Sequence, residues 1–271
     1  MKHPLESHFS RCVKSIDGMM NVAIYQFDTK WLDPKLNLDK VEKVAMQVSG
    51  NASMLFLHEM FTTGYTMQPS DVPELWQVEC MERLLSIAGD TGVTIAGSIP
   101  YQENGCWTNR MIVLGPKGLQ AAYDKIQLFR LAGEADVYSA GKETVAFQSG
   151  EWLVRPLICY DLRFPYLSFK SPDAHVLFYS ANWPQTRITH WQTLLKARAI
   201  ENQCYVIGVN RTGKDNNGYS YPGKSSVISY SGEVLCEMGS EEGLQTIALS
   251  MEALSEYRCK LPFLADRKFI W

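Results

Sequence analysis

Three residues of this chain combine chemical reactivity with a place at the end of an apolar run: Glu59, Lys125 and Cys159. Cys159 follows the strand-like run 152–158 (WLVRPLI) and precedes polar Tyr160 and Asp161, the place where α/β folds present reactive groups, beyond the carboxyl end of a strand. A thiol there suits nucleophilic attack on a carbonyl-type carbon; the alternative is a small buried hydrophobe, the commoner fate of a cysteine beside Leu157 and Ile158. A thiol nucleophile needs a base, ordinarily histidine. His3, His8, His58, His175 and His190 do not fit that part. His3 and His8 precede the first strand-like run, His175 begins another, and strand alternation turns His58 away from the face of Glu59; all five read as surface or satisfied core histidines.

A carboxylate can replace the imidazole. Glu59 ends the run 54–57 (MLFL) and opens an aromatic, glycine-bearing loop, 60–65. Partial desolvation there raises a carboxyl pKa towards neutrality, so that it takes a proton from a thiol or water and returns it to a leaving amine. Lys125 ends a third run, and a fixed ammonium stabilises both a thiolate and the oxyanion formed on attack. Read singly, Glu59 is a cap or surface pair and Lys125 a solvated strand-end lysine. Glu134, in the loop 133–136 (GEAD), is placed to orient Lys125 or a substrate. The backbone N–H of Tyr160 is the expected second oxyanion donor. Phe61, Phe129 and Trp183 are expected to wall the pocket, and Arg187 to pair through its planar fork with a substrate carboxylate, unless it is a helix-end surface arginine.

Groups so distant in sequence meet only if several strands end on one side of a sheet. Strand-like runs fall at 21–27, 53–57, 93–97, 110–114, 120–123, 152–158, 174–180, 205–209, 226–229, 234–238 and 246–249. Helical stripes are expected through Val41, Val44, Ala45 and Val48, through Leu75, Val78, Leu85 and Ala88, and through Trp191, Leu194, Leu195 and Ala199, the last capped by Thr186. GPKG at 115–118 signals a hairpin turn. Crossover helices mixed with hairpins predict an α/β fold with two layers of mixed sheet covered by helices. Residues 1–18 read as a polar extension, with Met19 or Met20 as an alternative start, and residues 19–271 as one domain.

A chain of 271 residues with 46% hydrophobics suffices for one large core. No run is long and apolar enough to cross a bilayer, and residues 1–18 lack an apolar signal-peptide centre, so a cytoplasmic protein without a membrane partner is expected. The formal net charge of -3 and the absence of a basic cluster argue against nucleic acid. Seven cysteines without a Cys-x-x-Cys pair point to free thiols in a reducing compartment, with no metal site.

LHEMFTTG at 57–64, YDKIQLF at 123–129 and ICYDLRFP at 158–165 resemble the Glu, Lys and Cys motifs of the carbon-nitrogen hydrolase (nitrilase) superfamily. The resemblance extends from about Met20 to the C-terminus and includes SANWP at 180–184, HWQTLLKARAIEN at 190–202 and NRTG at 210–213. It is strongest to the bacterial omega-amidase branch, whose members hydrolyse the terminal amide of 2-oxoglutaramate or 2-oxosuccinamate. It implies a four-layer α-β-β-α sandwich that forms a homodimer, needs no cofactor, and uses Glu59, Lys125 and Cys159 with Glu134 as second active-site glutamate. Gln127 departs from the histidine common in relatives, which puts local pocket polarity in doubt. On this reading Lys125 and Glu59 hold Cys159 as a thiolate that forms an acyl-thioester with a small amide substrate. The rivals are a nitrilase or general aliphatic amidase with the same triad, and a noncatalytic binding module that keeps the fold. A phosphatase-type thiol enzyme is disfavoured, because no phosphate-cradling loop separates Cys159 from Arg163.

Overall fold

The computed structural model describes residues 18–72, 76–169 and 173–268. Of the expected extension, only Gly18 falls among them. The first half of the chain runs β1 (Met19–Gln26), α1 (Pro34–Val48), β2 (Met54–Phe56), α2 (Trp76–Thr91), β3 (Thr94–Glu103), β4 (Cys106–Gly115), β5 (Gly118–Asp124) and the single-turn α3 (Glu134–Val137). The second half runs β6 (Phe147–Ser149), β7 (Trp152–Ile158), β8 (Val176–Ala181), α4 (Ile188–Asn202), β9 (Tyr205–Asn210), β10 (Thr212–Lys214), β11 (Ser220–Pro222), β12 (Ser226–Ile228), β13 (Val234–Glu237), β14 (Gly243–Ser250) and α5 (Met251–Lys260). Two six-stranded sheets result, in the orders β14-β1-β2-β3-β4-β5 and β13-β12-β9-β8-β7-β6, with β10 and β11 as a separate ribbon.

Both sheets are mixed, as expected. In the first, β1, β2 and β3 are parallel, while β4 and β5 return as hairpins. In the second, β7, β8 and β9 are parallel. Val22 and Ile24 of β1 enter the core between the sheets, whereas Ala23 and Tyr25 face the helices α1 and α2. Burial on both faces explains why these strands read as continuous apolar runs. Across the midline the rings of Phe56 and Phe178 lie 4.5 Å apart. On the far side α4 presses directly on β9: a Cβ at Gly208 would stand 2.5 Å from Leu195 Cδ1, closer than carbon atoms approach.

The α1 stripe is as read, with Pro34 in the first turn and the Asp33 carboxylate accepting the Leu36 N–H at 3.0 Å. Two helix details differ from expectation. On α2 the buried row is Trp76, Cys80, Leu84, Ile87 and Ala88, while Val78 and Leu85 are exposed and Leu75 lies outside the described residues. Packing through Trp76 selects the 76-80-84-88 ridge, rotated about the helix axis from the stripe that Val78 and Leu85 suggested. Thr186 does not cap α4; it sits in the short turn Gln185–Arg187, and no side chain caps that helix. Cys80, Cys106, Cys159, Cys204 and Cys236 are free, whereas Cys259 is disulfide-bonded, so the all-thiol reading does not extend to it. Among the described residues no helix is long and apolar enough to cross a membrane.

The topology brings the reactive groups together. Because β5 is antiparallel to β4 and β4 to β3, β5 runs in the same sense as β2, and Glu59 and Lys125 follow at the same sheet end. The carboxyl ends of β7 and β8 meet that end from the facing sheet. Ser180 Oγ donates to the Leu57 carbonyl at 2.9 Å, stitching β8 to the segment that leads into Glu59.

Candidate active site

Extended backbone stops at Ile158, and Cys159 adopts φ +43°, in the left-handed region, before the turn Cys159–Arg163. A non-glycine residue there costs on the order of 1 kcal/mol, and the abrupt reversal leaves the thiol facing a cavity. Cys159 Sγ contacts the Asn182 carbonyl at 3.9 Å, as donor. Asn182 follows β8, and its N–H donates to Glu59 Oε2 at 2.9 Å. Sulfur and carboxylate thus touch the backbone of one and the same residue.

Behind the thiol lies a closed ionic cluster. Lys125 Nζ donates to Glu59 Oε1 at 2.8 Å and to both oxygens of Glu134 at 2.9 and 2.8 Å, and all three side chains have zero exposure. Asn109 Nδ2, on β4, donates to Glu59 Oε1 at 2.8 Å and to Glu134 Oε1 at 3.0 Å. Glu134 Oε2 also accepts the Phe129 N–H at 2.6 Å. Every contact of both carboxylates is with a donor, and the three ammonium protons each have an acceptor. Such saturation is what a buried ion pair requires to offset its desolvation. Glu59, Lys125, Cys159 and Glu134 are therefore assembled at one place, with Glu134 reached through a left-handed Gly133 (φ +76°) that starts α3.

The charge balance of this cluster changes one expectation. Burial alone would push Lys125 down, but Glu134 and Glu59 outweigh it and hold its pKa well above the ordinary lysine value. Cys159 moves up: burial penalises the thiolate, and the Glu59 charge adds to that, more than Lys125 compensates. Two carboxylates against one ammonium leave the cluster with a net charge of about -1, and a resting thiolate would double it. Both effects, burial and the excess negative charge, disfavour the thiolate of Cys159, against the expectation that Lys125 and Glu59 hold it in that form. His58 is equally out of play. Burial and then Arg211 lower its pKa to about 3, and its ring contacts Thr29 Oγ1 at 3.1 Å and the Glu59 carbonyl at 3.1 Å.

The cavity above Cys159 measures ≈ 550 Å³. Phe129 and Trp183 wall it, together with Tyr65 and Tyr160. Phe61 does not. It is fully buried in the core between the first sheet and its helices, where a Cβ at Gly97 would meet its ring at 2.8 Å, so it supports the Glu59 loop from behind. Arg187 lines the cavity with its guanidinium 5.4 Å from the Phe129 ring centre, and Arg163 lies 4.7 Å from that of Trp183. Among the described residues neither arginine has a carboxylate partner, although His190 Nδ1 lies 3.2 Å from Arg163 Nη2. Sequence reading assigned no role to Arg163, Asn109 or Asn182. Asn109 lies between Thr108 and Arg110, just before the apolar stretch 111–114 of β4, so no local signal in the sequence marks it.

The carbon-nitrogen hydrolase family profile matches residues 21–259. The chain is 38% identical to the omega-amidase YafV of Escherichia coli (strain K12) over 248 residues, 91% of this chain and 96% of the relative. It is 36% identical to the 2-oxoglutaramate amidase of Bacillus subtilis (strain 168) over 252 residues, covering 90% and 96%. Among solved structures, XC1258 from Xanthomonas campestris, described as a CN-hydrolase superfamily protein with an arsenic adduct in the active site, superposes with a TM-score of 0.88. Its sequence is 32% identical, and the match covers 94% of this chain and 99% of that one.

Proposed function

Since the chain belongs to the carbon-nitrogen hydrolase family, we propose that it is an amide-hydrolysing enzyme of the omega-amidase type, which releases ammonia from the terminal amide of a small 2-oxo acid such as 2-oxoglutaramate. The observation that carries this reading is the saturated Glu59-Lys125-Glu134 cluster directly beneath a thiol that opens on a cavity.

The chemistry follows from the charge balance. Glu59 takes the Cys159 proton as sulfur attacks the amide carbon, so the negative charge leaves the carboxylate and appears on the tetrahedral oxygen. Lys125, whose bond to Glu59 weakens at that moment, turns a proton to the new oxyanion, and the Tyr160 N–H, at the start of its turn and so outside the helical ladder, donates the second bond. The net charge of the buried cluster is unchanged throughout. Glu59 then gives its proton to the departing nitrogen as the C–N bond breaks, leaving a thioester and free ammonia. In the second half Glu59 takes a proton from water, hydroxide adds to the thioester, and the expelled sulfur recovers the proton. Glu134 keeps Lys125 charged and in place.

Arg163 and Arg187, without carboxylate partners among the described residues and beside aromatic rings at the cavity wall, suit the carboxylate of a 2-oxo acid. The enzyme is read as a cytoplasmic homodimer acting on a small molecule, with no nucleic-acid or membrane partner; light scattering tests the dimer. The substrate class is tested by ammonia release from 2-oxoglutaramate, 2-oxosuccinamate, uncharged aliphatic amides and nitriles. Preference for the 2-oxo acid amides is expected. Equal turnover of uncharged amides would remove the carboxylate-recognition part, and turnover of nitriles alone would replace amidase by nitrilase.

A further inference from the structure

Asp161 is fully buried two residues beyond the nucleophile, and the mechanism above does not use it. Its Oδ2 accepts the Tyr123 hydroxyl at 2.7 Å and the Ile158 N–H at 2.9 Å; its Oδ1 accepts the Gln127 N–H at 2.9 Å. The three donors come from two segments. Tyr123 and Gln127 stand two residues to either side of Lys125, and Ile158 immediately precedes Cys159. None of the three Lys125 hydrogen bonds reaches the Cys159 turn. The Asp161 carboxylate is therefore the direct hydrogen-bonded link between the strand end carrying the ammonium and the turn carrying the sulfur. That turn needs holding, because Cys159 occupies the left-handed region.

We propose that Asp161 is a positioning residue for amide hydrolysis: its ionised carboxylate clamps the Lys125 segment to the Cys159 turn, and loss of its charge lets the two drift out of register. This rests on the roles given above to Cys159 and Lys125. The geometry requires the ionised form, since every neighbour of either oxygen is a donor. A proton on Oδ2 faces the Ile158 N–H and the Tyr123 hydroxyl and displaces one of them; a proton on Oδ1 has no acceptor among the described residues and leaves a weaker acceptor for the Gln127 N–H, so protonation loosens the clamp on either oxygen. If Tyr123 turned its hydroxyl to accept from a protonated Asp161, its own O–H would have no other acceptor among the described residues, since its oxygen otherwise only accepts the Ile126 N–H at 3.3 Å.

The charged and titratable groups around the clamp are few. Tyr123 faces it from β5, Lys125 from the residue just beyond that strand and Tyr179 from β8; Cys159 shares its turn, and Arg198 of α4 binds the adjoining Leu162 carbonyl at 2.6 Å. Burial pushes Asp161 from its ordinary 3.8 up to about 6, against the lowering effect of Tyr123, the two backbone donors and Lys125. Turnover thus falls as pH drops through about 6. The effect on folding has the opposite sign. The folded state binds this proton more tightly than an unfolded chain, so Asp161 protonation between 3.8 and about 6 favours the fold. Activity lost to the clamp is lost without an Asp161-driven fall in Tm.

The experiment compares pH profiles of kcat and kcat/KM on 2-oxoglutaramate for the wild type, Asp161→Asn, Tyr123→Phe and Cys159→Ala, with Tm measured at each pH. The Asp161→Asn change keeps the side chain's shape but sets an amide donor against a backbone donor. Expected for Asp161→Asn is a fall in kcat of roughly 100-fold, the scale of an ångström-sized misplacement, with KM little changed and the wild-type acid limb gone. Tyr123→Phe removes a donor and is expected to move the limb to higher pH. An Asp161→Asn enzyme with wild-type kcat, or with the acid limb still in its wild-type place, overturns the clamp. If Asp161→Asn does not fold, Tyr123→Phe decides, and an unmoved limb overturns the proposal. Activity in Cys159→Ala would instead overturn the underlying assignment of the nucleophile, so the two failures are told apart.

Discussion

Replacing Lys125 by methionine removes the cation from a buried set of two carboxylates while keeping the side chain's approximate length. Three hydrogen bonds of 2.8 to 2.9 Å vanish, and the net charge of the cluster goes from about -1 to -2 in a region of zero exposure. Breaking a buried ion pair from one side costs about 3–5 kcal/mol. Here one deletion strips a partner from two carboxylates, so a loss near the top of that range, about 5 kcal/mol, is expected at pH 7 to 8. Urea unfolding of both proteins reads the difference. A deficit below about 1 kcal/mol, the range of an exposed salt bridge, would refute the closed ionic cluster.

Glu59→Gln should lower kcat by several powers of ten, because base and nucleophile act as a unit. The same change removes the charge that, after burial, most raises the Cys159 pKa, so iodoacetamide should alkylate Cys159 faster in the variant than in the wild type near pH 8. Arg163→Leu and Arg187→Leu should raise KM for 2-oxo acid amides at least tenfold, on the scale of a lost charge-assisted pair, and leave uncharged amides unaffected; steady-state ammonia assays decide it. Phe61→Ala should cost about 3–5 kcal/mol of stability by cavity creation, read by urea unfolding, with KM near the wild-type value, because the ring belongs to the core and not to the cavity wall.

Much of this arrangement was legible in the sequence, because the reactive residues sit where apolar runs stop. Glu59 after Met54–Phe56, Lys125 after β5 and Cys159 after Trp152–Ile158 are strand-end positions that a parallel topology must gather at one edge. Glu134 carried no such local mark, and its place as second active-site glutamate came through the resemblance. Details governed by packing were not legible. Phe61 reads as a pocket aromatic because its loop follows Glu59, yet the close approach of Gly97 admits its ring to the core. On α2 the ridge was chosen by Trp76, at a position apolar spacing alone does not single out. The upward shift of Cys159 was not legible because burial dominates it and depends on the whole fold; a lysine beside a thiol suggests a thiolate, but the site is desolvated and two carboxylates engage all three ammonium protons. Asn109 and Asn182 act through hydrogen bonds to residues 50 and 123 positions away in the chain, a distance no local pattern spans.

In the proposed mechanism the sulfur of Cys159 becomes covalently bound to the acyl group during turnover. Rapid quenching of the enzyme with 2-oxoglutaramate, followed by intact-mass and peptide mapping, tests it most directly. A transient adduct with the mass of the substrate less ammonia, confined to the Cys159 peptide and appearing with a burst of ammonia, is the predicted result. Steady ammonia release from an enzyme lacking that sulfur, or an adduct mapped to Cys80, Cys204 or Cys236 instead, would contradict it.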